Sequence, residues 1–95
     1  MYQIKDLQEK KAKAIGVIIK SSTRKGKKID VFDKSGVKLA SIGGSGYKDY
    51  ATYINEKGLE FAKMKRRAYL ARHHKDPKYK NGKLTPGYFA KKILW

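Results

Sequence analysis

The stretch KKIDVFDKSGVKLASIG, from Lys27 to Gly43, constrains the fold more than any other part of this chain. Successive side chains of an extended strand point to opposite faces, so a strand lying on a core alternates in character. KKIDVFD places Ile29, Val31 and Asp33 on one side, and Asp30 and Phe32 on the other. VKLASIG sets Val37, Leu39 and Ser41 against Lys38, Ala40 and Ile42. Between the runs, Asp33-Lys34-Ser35-Gly36 has the residue types of a hairpin turn: Asp and Ser bond to nearby backbone, and Gly accepts positive φ. Upstream, VIIKSST is rich in β-branched residues and SSTRKGKK reads as a basic hairpin loop. Three antiparallel strands are expected, about the fewest that make a sheet stable against helices.

Helices flank this sheet. Ile4 to Ala14 consists of good helix formers, with Ile4, Leu7 and Lys11 or Ala14 along one face, and Gly16 interrupts it. Its polar remainder predicts an exposed helix or lightly docked arm over residues 1–15. Tyr47, Tyr50 and Tyr53 recur at spacing three, an aromatic stripe whose default use is core packing, with base stacking the lesser alternative. LEFAKMKRRAYLARHH, Leu59 to His74, is the clearest helix. Its expected apolar face is Phe61, Met64, Ala68 and Ala71, widened by Leu59, Ala62 and Tyr69. Pro77 stops it, Asn81-Gly82 makes a turn, and Thr85-Pro86 opens a last helix. That helix ends in Tyr88, Phe89, Ile93, Leu94 and Trp95, an apolar set expected to dock. Ninety-five residues hold one domain. The expected class is α+β: a small three-stranded antiparallel sheet, an N-terminal helix or arm (1–15), and two or three C-terminal helices within one basic domain (16–95).

Charge narrows the function. The chain carries 24 Lys and Arg against 8 Asp and Glu, a net charge of +16. Such self-repulsion is relieved by a polyanionic partner, either nucleic acid or an acidic protein surface. From Phe61 to Trp95 there are eleven Lys and Arg against Asp76 alone, and from Lys20 to Lys28 five and no acid. No apolar helix face fringed with lysine carries exposed Trp or Phe, so a membrane surface is not the expected partner. The longest apolar run, about four residues around GVII, is far below the roughly 20 that span a bilayer. The N-terminal MYQIKDLQEKKAKA has acids and lysines where a signal peptide needs an apolar stretch, so export by that route is not expected.

Catalytic and metal chemistry find little support. The chain has no cysteine and two histidines. A nucleophile triad lacks its elbow pattern, and a metal nuclease needs three or four gathered acids, whereas Asp30/Asp33 and Asp49/Glu56/Glu60 are sparse and set among lysines. His73 and His74 are adjacent, so on a helix they diverge by about 100° and make a poor chelate. Gly43 to Gly46, GGSG, has neither dinucleotide nor P-loop spacing and reads as a strand-to-helix turn. No enzyme, cofactor or metal is expected.

Nucleic-acid binding needs cations for phosphates and planar groups among them. The expected contacts are Arg24, Lys25 and Lys27 in the basic loop, Lys63, Arg66, Arg67, Arg72 and His73 on the long helix, and Lys75, Lys78, Lys80 and Lys83 beyond it. Tyr69, Tyr79 and Tyr88 are interleaved with them. No base-reading fingerprint is present, so binding is expected to be phosphate-dominated and sequence-tolerant.

Three motifs in order carry a resemblance: YKDY (Tyr47–Tyr50), a Lys/Arg run leading into YLARH (Tyr69–His73), and TPGYFAKKILW (Thr85–Trp95). From about Lys28 to Trp95 the chain resembles an uncharacterised family of small basic proteins of tailed phages and large nucleocytoplasmic DNA viruses. The resemblance implies a viral setting, in the virion or an infected cell; it favours DNA over RNA as the polymer and leaves both open. It implies no catalytic residue. It also admits a second role, a virion structural protein (minor capsid, cement or capsid–genome bridge) whose basic face meets acidic capsid protein.

Overall fold

The computed structural model describes residues 2–95. Its elements are α1 (Asp6–Ala14), β1 (Ile18–Ser21), β2 (Lys27–Phe32), β3 (Lys38–Gly44), α2 (Tyr50–Lys57), α3 (Leu59–His73), β4 (Tyr79–Lys80), β5 (Lys83–Leu84) and α4 (Pro86–Phe89). α4 runs directly into a π-helical segment, Ala90–Leu94. The fold is α+β, with a three-stranded antiparallel sheet in the order β1-β2-β3 and a separate two-stranded hairpin of β4 and β5.

The hairpin signature forms as its residues dictate. Asp33 Oδ1 accepts hydrogen bonds from the backbone N–H groups of Ser35 and Val37, each at 2.9 Å, closing the turn with an Asx geometry. Ile29 then pairs with Ile42 and Val31 with Ala40, while Ile19 pairs with Val31 on the other side. These five side chains make one apolar face. Phe89, Ile93 and Leu94 pack onto it together with Ala12 of α1. The reverse face of β2 is also closed, by polar means. Asp30 accepts from the hydroxyls of Ser22 at 2.6 Å and Ser41 at 2.7 Å, and Lys38 lies 3.4 Å away. Burial opposes ionisation there, but these hydrogen bonds and the Lys38 charge outweigh it and hold the carboxyl below its ordinary range.

Four expectations are corrected. The expected N-terminal helix is present as α1, but it docks on the core and is not an arm. Its buried positions are Gln8 and Ala12, not the expected line through Leu7 and Ala14. A polar chain fastens it: Gln8 Nε2 donates to the Tyr2 hydroxyl at 2.8 Å, and that hydroxyl donates to Asp49 Oδ2 at 2.6 Å. Tyr47 lies outside α2 and is exposed, because Asp49 accepts from the Thr52 N–H at 2.9 Å and starts the helix after it. On α3 the buried residue is Ala62, while Met64, Ala68 and Ala71 are exposed. Alanine is equally at home on either side of a helix, so a face counted through Ala68 and Ala71 is rotated from the true one. Lastly, the segment after Pro77 is not loop alone. Asn81 (φ 54°) and Gly82 (φ 77°) occupy the two central positions that a tight β-hairpin turn requires with positive φ, and β4 and β5 flank them.

Gly43 illustrates how closely the last helix approaches the sheet. It has φ +79°, and a Cβ there would meet Leu94 Cδ1 at 2.9 Å and Lys28 Cδ at 3.1 Å. Gly43→Ala is expected to lower unfolding stability by about 1–3 kcal/mol through backbone strain and displacement of Leu94. A shift in urea midpoint at constant m-value measures this; an unchanged midpoint would show that Leu94 moves aside freely.

Candidate nucleic-acid interface

Between α3 and the end of β3 lies a cleft of about 490 Å³. One wall is a single stripe of α3, Lys65, Ala68, Tyr69, Arg72 and His73, at the three- and four-residue spacing that keeps side chains on one side of a helix. The facing wall is the Gly43-Gly44 end of β3 with Tyr47 and Lys48. Ala90, Leu94 and Trp95 of the C-terminal segment, together with Lys28, Asp49 and Tyr53, complete the lining.

Aromatic rings order this region. Trp95 stacks on Tyr69 with centroids 4.5 Å apart and planes 8° from parallel, and Tyr69 in turn stacks on His73 at 4.3 Å. Tyr53 meets Trp95 at 6.1 Å and Phe61 at 5.7 Å in tilted geometry. Burial, reinforced by the Asp76 charge, pushes the Tyr69 hydroxyl pKa up and keeps it neutral. The α3 C-terminus is capped by bases: His73 Nδ1–H donates to Asp76 at 2.7 Å, His74 Nδ1–H to the Ala71 carbonyl at 2.8 Å, and Lys91 Nζ to the His73 carbonyl at 3.1 Å.

The cleft is electrostatically one-sided. Asp49 is the only acidic side chain lining it, and Lys28 Nζ neutralises that group at 3.1 Å with both side chains buried. Lys28 Nζ also donates to the Tyr47 carbonyl. Lys48 is paired with Glu56. Among the described residues Lys65 and Arg72 have no carboxylate partner. Lys65 instead lies over the rings of Phe61 and Tyr53, at 5.5 and 5.9 Å.

Of the twelve residues expected from sequence, only Arg72 and His73 line this cleft. Arg24, Lys25 and Lys27 belong to its surroundings: Lys27 pairs with Gly44, and the Ser45 N–H donates to the Gly26 carbonyl at 2.9 Å. The basic β1–β2 loop therefore stands at the sheet end that forms the facing wall. Lys63 and Arg67 lie on the opposite side of α3, about 200° around the helix from Lys65. Arg66 is turned towards α1, over the Tyr50 ring at 5.3 Å, where its charge, after burial, helps depress the Lys11 pKa. Lys75, Lys80 and Lys83 are exposed beyond α3. Lys78 lies over the rings of Tyr88 at 5.1 Å and Tyr79 at 5.4 Å, a separate cation–aromatic group. Sequence reasoning missed Lys65, Lys48 and the placement of Tyr47. Lys65 was detectable, because it precedes Tyr69 by four residues and Arg72 by seven. Nothing local marked Lys48.

Among the described residues no three His, Cys, Asp or Glu side chains gather as a metal site, and no helix is long and apolar enough to cross a membrane. Compared with known protein families, curated proteins and solved structures, the chain matches none.

Proposed function

We propose that this chain is a non-enzymatic basic protein that holds nucleic acid through its phosphates with little regard to sequence. The observation that carries the reading is the cleft itself, where Lys65 and Arg72 stand unpaired among aromatic rings and the single acidic side chain is already neutralised by Lys28. Arg24, Lys25 and Lys27 extend the same positive surface along the sheet end. Phosphate contacts made by such residues release condensed counterions, so affinity falls steeply with salt. The viral setting, with DNA as the polymer, is part of this proposal and rests on the motif resemblance.

Fluorescence anisotropy with a labelled strand of about 15 nucleotides tests it. With four phosphates engaged, raising salt from about 50 to about 200 mM should weaken single-strand binding about fiftyfold. Lys65→Ala with Arg72→Ala should flatten the log–log slope by about 1.4, whereas Lys63→Ala with Arg67→Ala should change it much less. Absence of binding to strand or duplex at the lower salt overturns the proposal, and copurification with shell protein would then favour a particle component.

A further inference from the structure

We infer that the cleft receives one unpaired nucleobase, stacked against Tyr47, so that the protein selects single-stranded over duplex nucleic acid. This rests on the nucleic-acid reading above and specifies its substrate. Tyr47 is 78% exposed, an unusual position for a ring of its size, while its backbone is fixed by hydrogen bonds. Its N–H donates to the Gly44 carbonyl at 3.2 Å and its carbonyl accepts from Lys28. Its ring lies so close to the Gly44 backbone that a Cβ there would meet Cδ2 at 2.9 Å. An exposed aromatic on a fixed backbone, at the lip of a cationic cleft, is a stacking platform for a planar partner.

Size and chemistry define that partner. About 490 Å³ lies within the range of small-ligand sites and leaves ample room for one base. Lys65 and Arg72 line the same cleft from the α3 stripe, and they are the cations that would meet the phosphates flanking an inserted base. Every base has a π face, so such a platform tolerates sequence. A base within a duplex is already stacked and paired, and entry would require it to be extruded at a cost the single strand does not meet.

The test compares a thymidine oligonucleotide of about 12 residues, a duplex of the same length, and an abasic strand with the same phosphates, all by anisotropy at fixed salt. The thymidine strand should bind about tenfold or more tightly than either of the others. Tyr47→Ala should remove most of that preference by weakening the thymidine strand, and should leave the thermal midpoint within a degree or so, because the ring is exposed. Gly44→Ala, which displaces the Tyr47 ring without removing it, should act in the same direction. Equal, salt-sensitive binding of all three probes overturns the inference while leaving the phosphate reading intact. Failure of all three to bind overturns both.

Discussion

Asp49→Ala is expected to lower unfolding stability by about 3–5 kcal/mol, a large share of the total for a domain of this size. Asp49 is 1% exposed and joins three segments. Its carboxylate accepts from the Tyr2 hydroxyl, from the Thr52 N–H that begins α2, and from Lys28 Nζ. Removing it strands the Lys28 ammonium, whose side chain is only 8% exposed, without its counter-charge. That penalty exceeds the loss of a helix cap, which is worth about 1 kcal/mol. Asp49→Asn separates the two, since it can keep the cap but not the charge. It should resemble Asp49→Ala if the ion pair dominates, and should be much milder if the cap does. Lys28→Met added to Asp49→Ala should recover part of the loss, with coupling of about 1–3 kcal/mol in the double-mutant cycle.

The same carboxylate predicts a pH dependence. Burial opposes its ionisation, but hydrogen bonds from Tyr2 and Thr52 and the Lys28 charge hold its pKa below the ordinary 3.8. A depressed folded value means that the unfolded chain binds the proton more readily. Stability is therefore fully present above about 4 and is lost as pH falls through the folded value. Asp30 acts in the same direction. Burial and the Asp49 hydrogen bond push Tyr2 up to about 12, so its contribution is present below 10 and lost as pH rises through about 12. Urea midpoints across the acid limb should show a steeper fall for the native chain than for Asp49→Ala.

Phe89→Ala is expected to cost about 3–5 kcal/mol, the range for deleting a fully buried aromatic. Phe89 is 1% exposed and belongs to the cluster that joins the C-terminal helix to Ile29, Val31 and Ile42. Met64→Ala provides the contrast. Met64 belongs to the apolar face expected from periodicity, yet it is 53% exposed, and its substitution should change stability by no more than about 0.5 kcal/mol. Equal losses at the two positions would show that α3 buries a different face from the one described.

Local chemistry explains which elements are legible in the amino-acid order. Asp33-Lys34-Ser35-Gly36 closes its turn with bonds inside five residues, and Asn81-Gly82 and Thr85-Pro86 are equally self-contained. Thr85 Oγ1 accepts from the Tyr88 N–H at 3.1 Å to open the last helix. The α3 face is harder to place because Ala62, Ala68 and Ala71 are interchangeable by local criteria. The packing of α3 against α2 and the stacking of Tyr69 on Trp95 select the side that packs. Tyr47 resembles Tyr50 and Tyr53 in spacing, and spacing alone cannot reveal that Asp49 starts the helix.

The sheet, its turns, the helical ends and the large positive charge follow from the residues themselves, because they depend on alternation, φ preference, capping and composition within a few positions. Which cations face which surface follows from the tertiary packing instead. Lys48 and Lys65 line one cleft, while Arg67 does not, through the orientation in which α3 docks on Trp95 and α2. The same holds for Tyr2, Gln8, Lys28 and Asp49, four polar residues separated by up to 47 positions. Their value lies in satisfying one another in a buried place, a condition that exists only once the chain has closed around them.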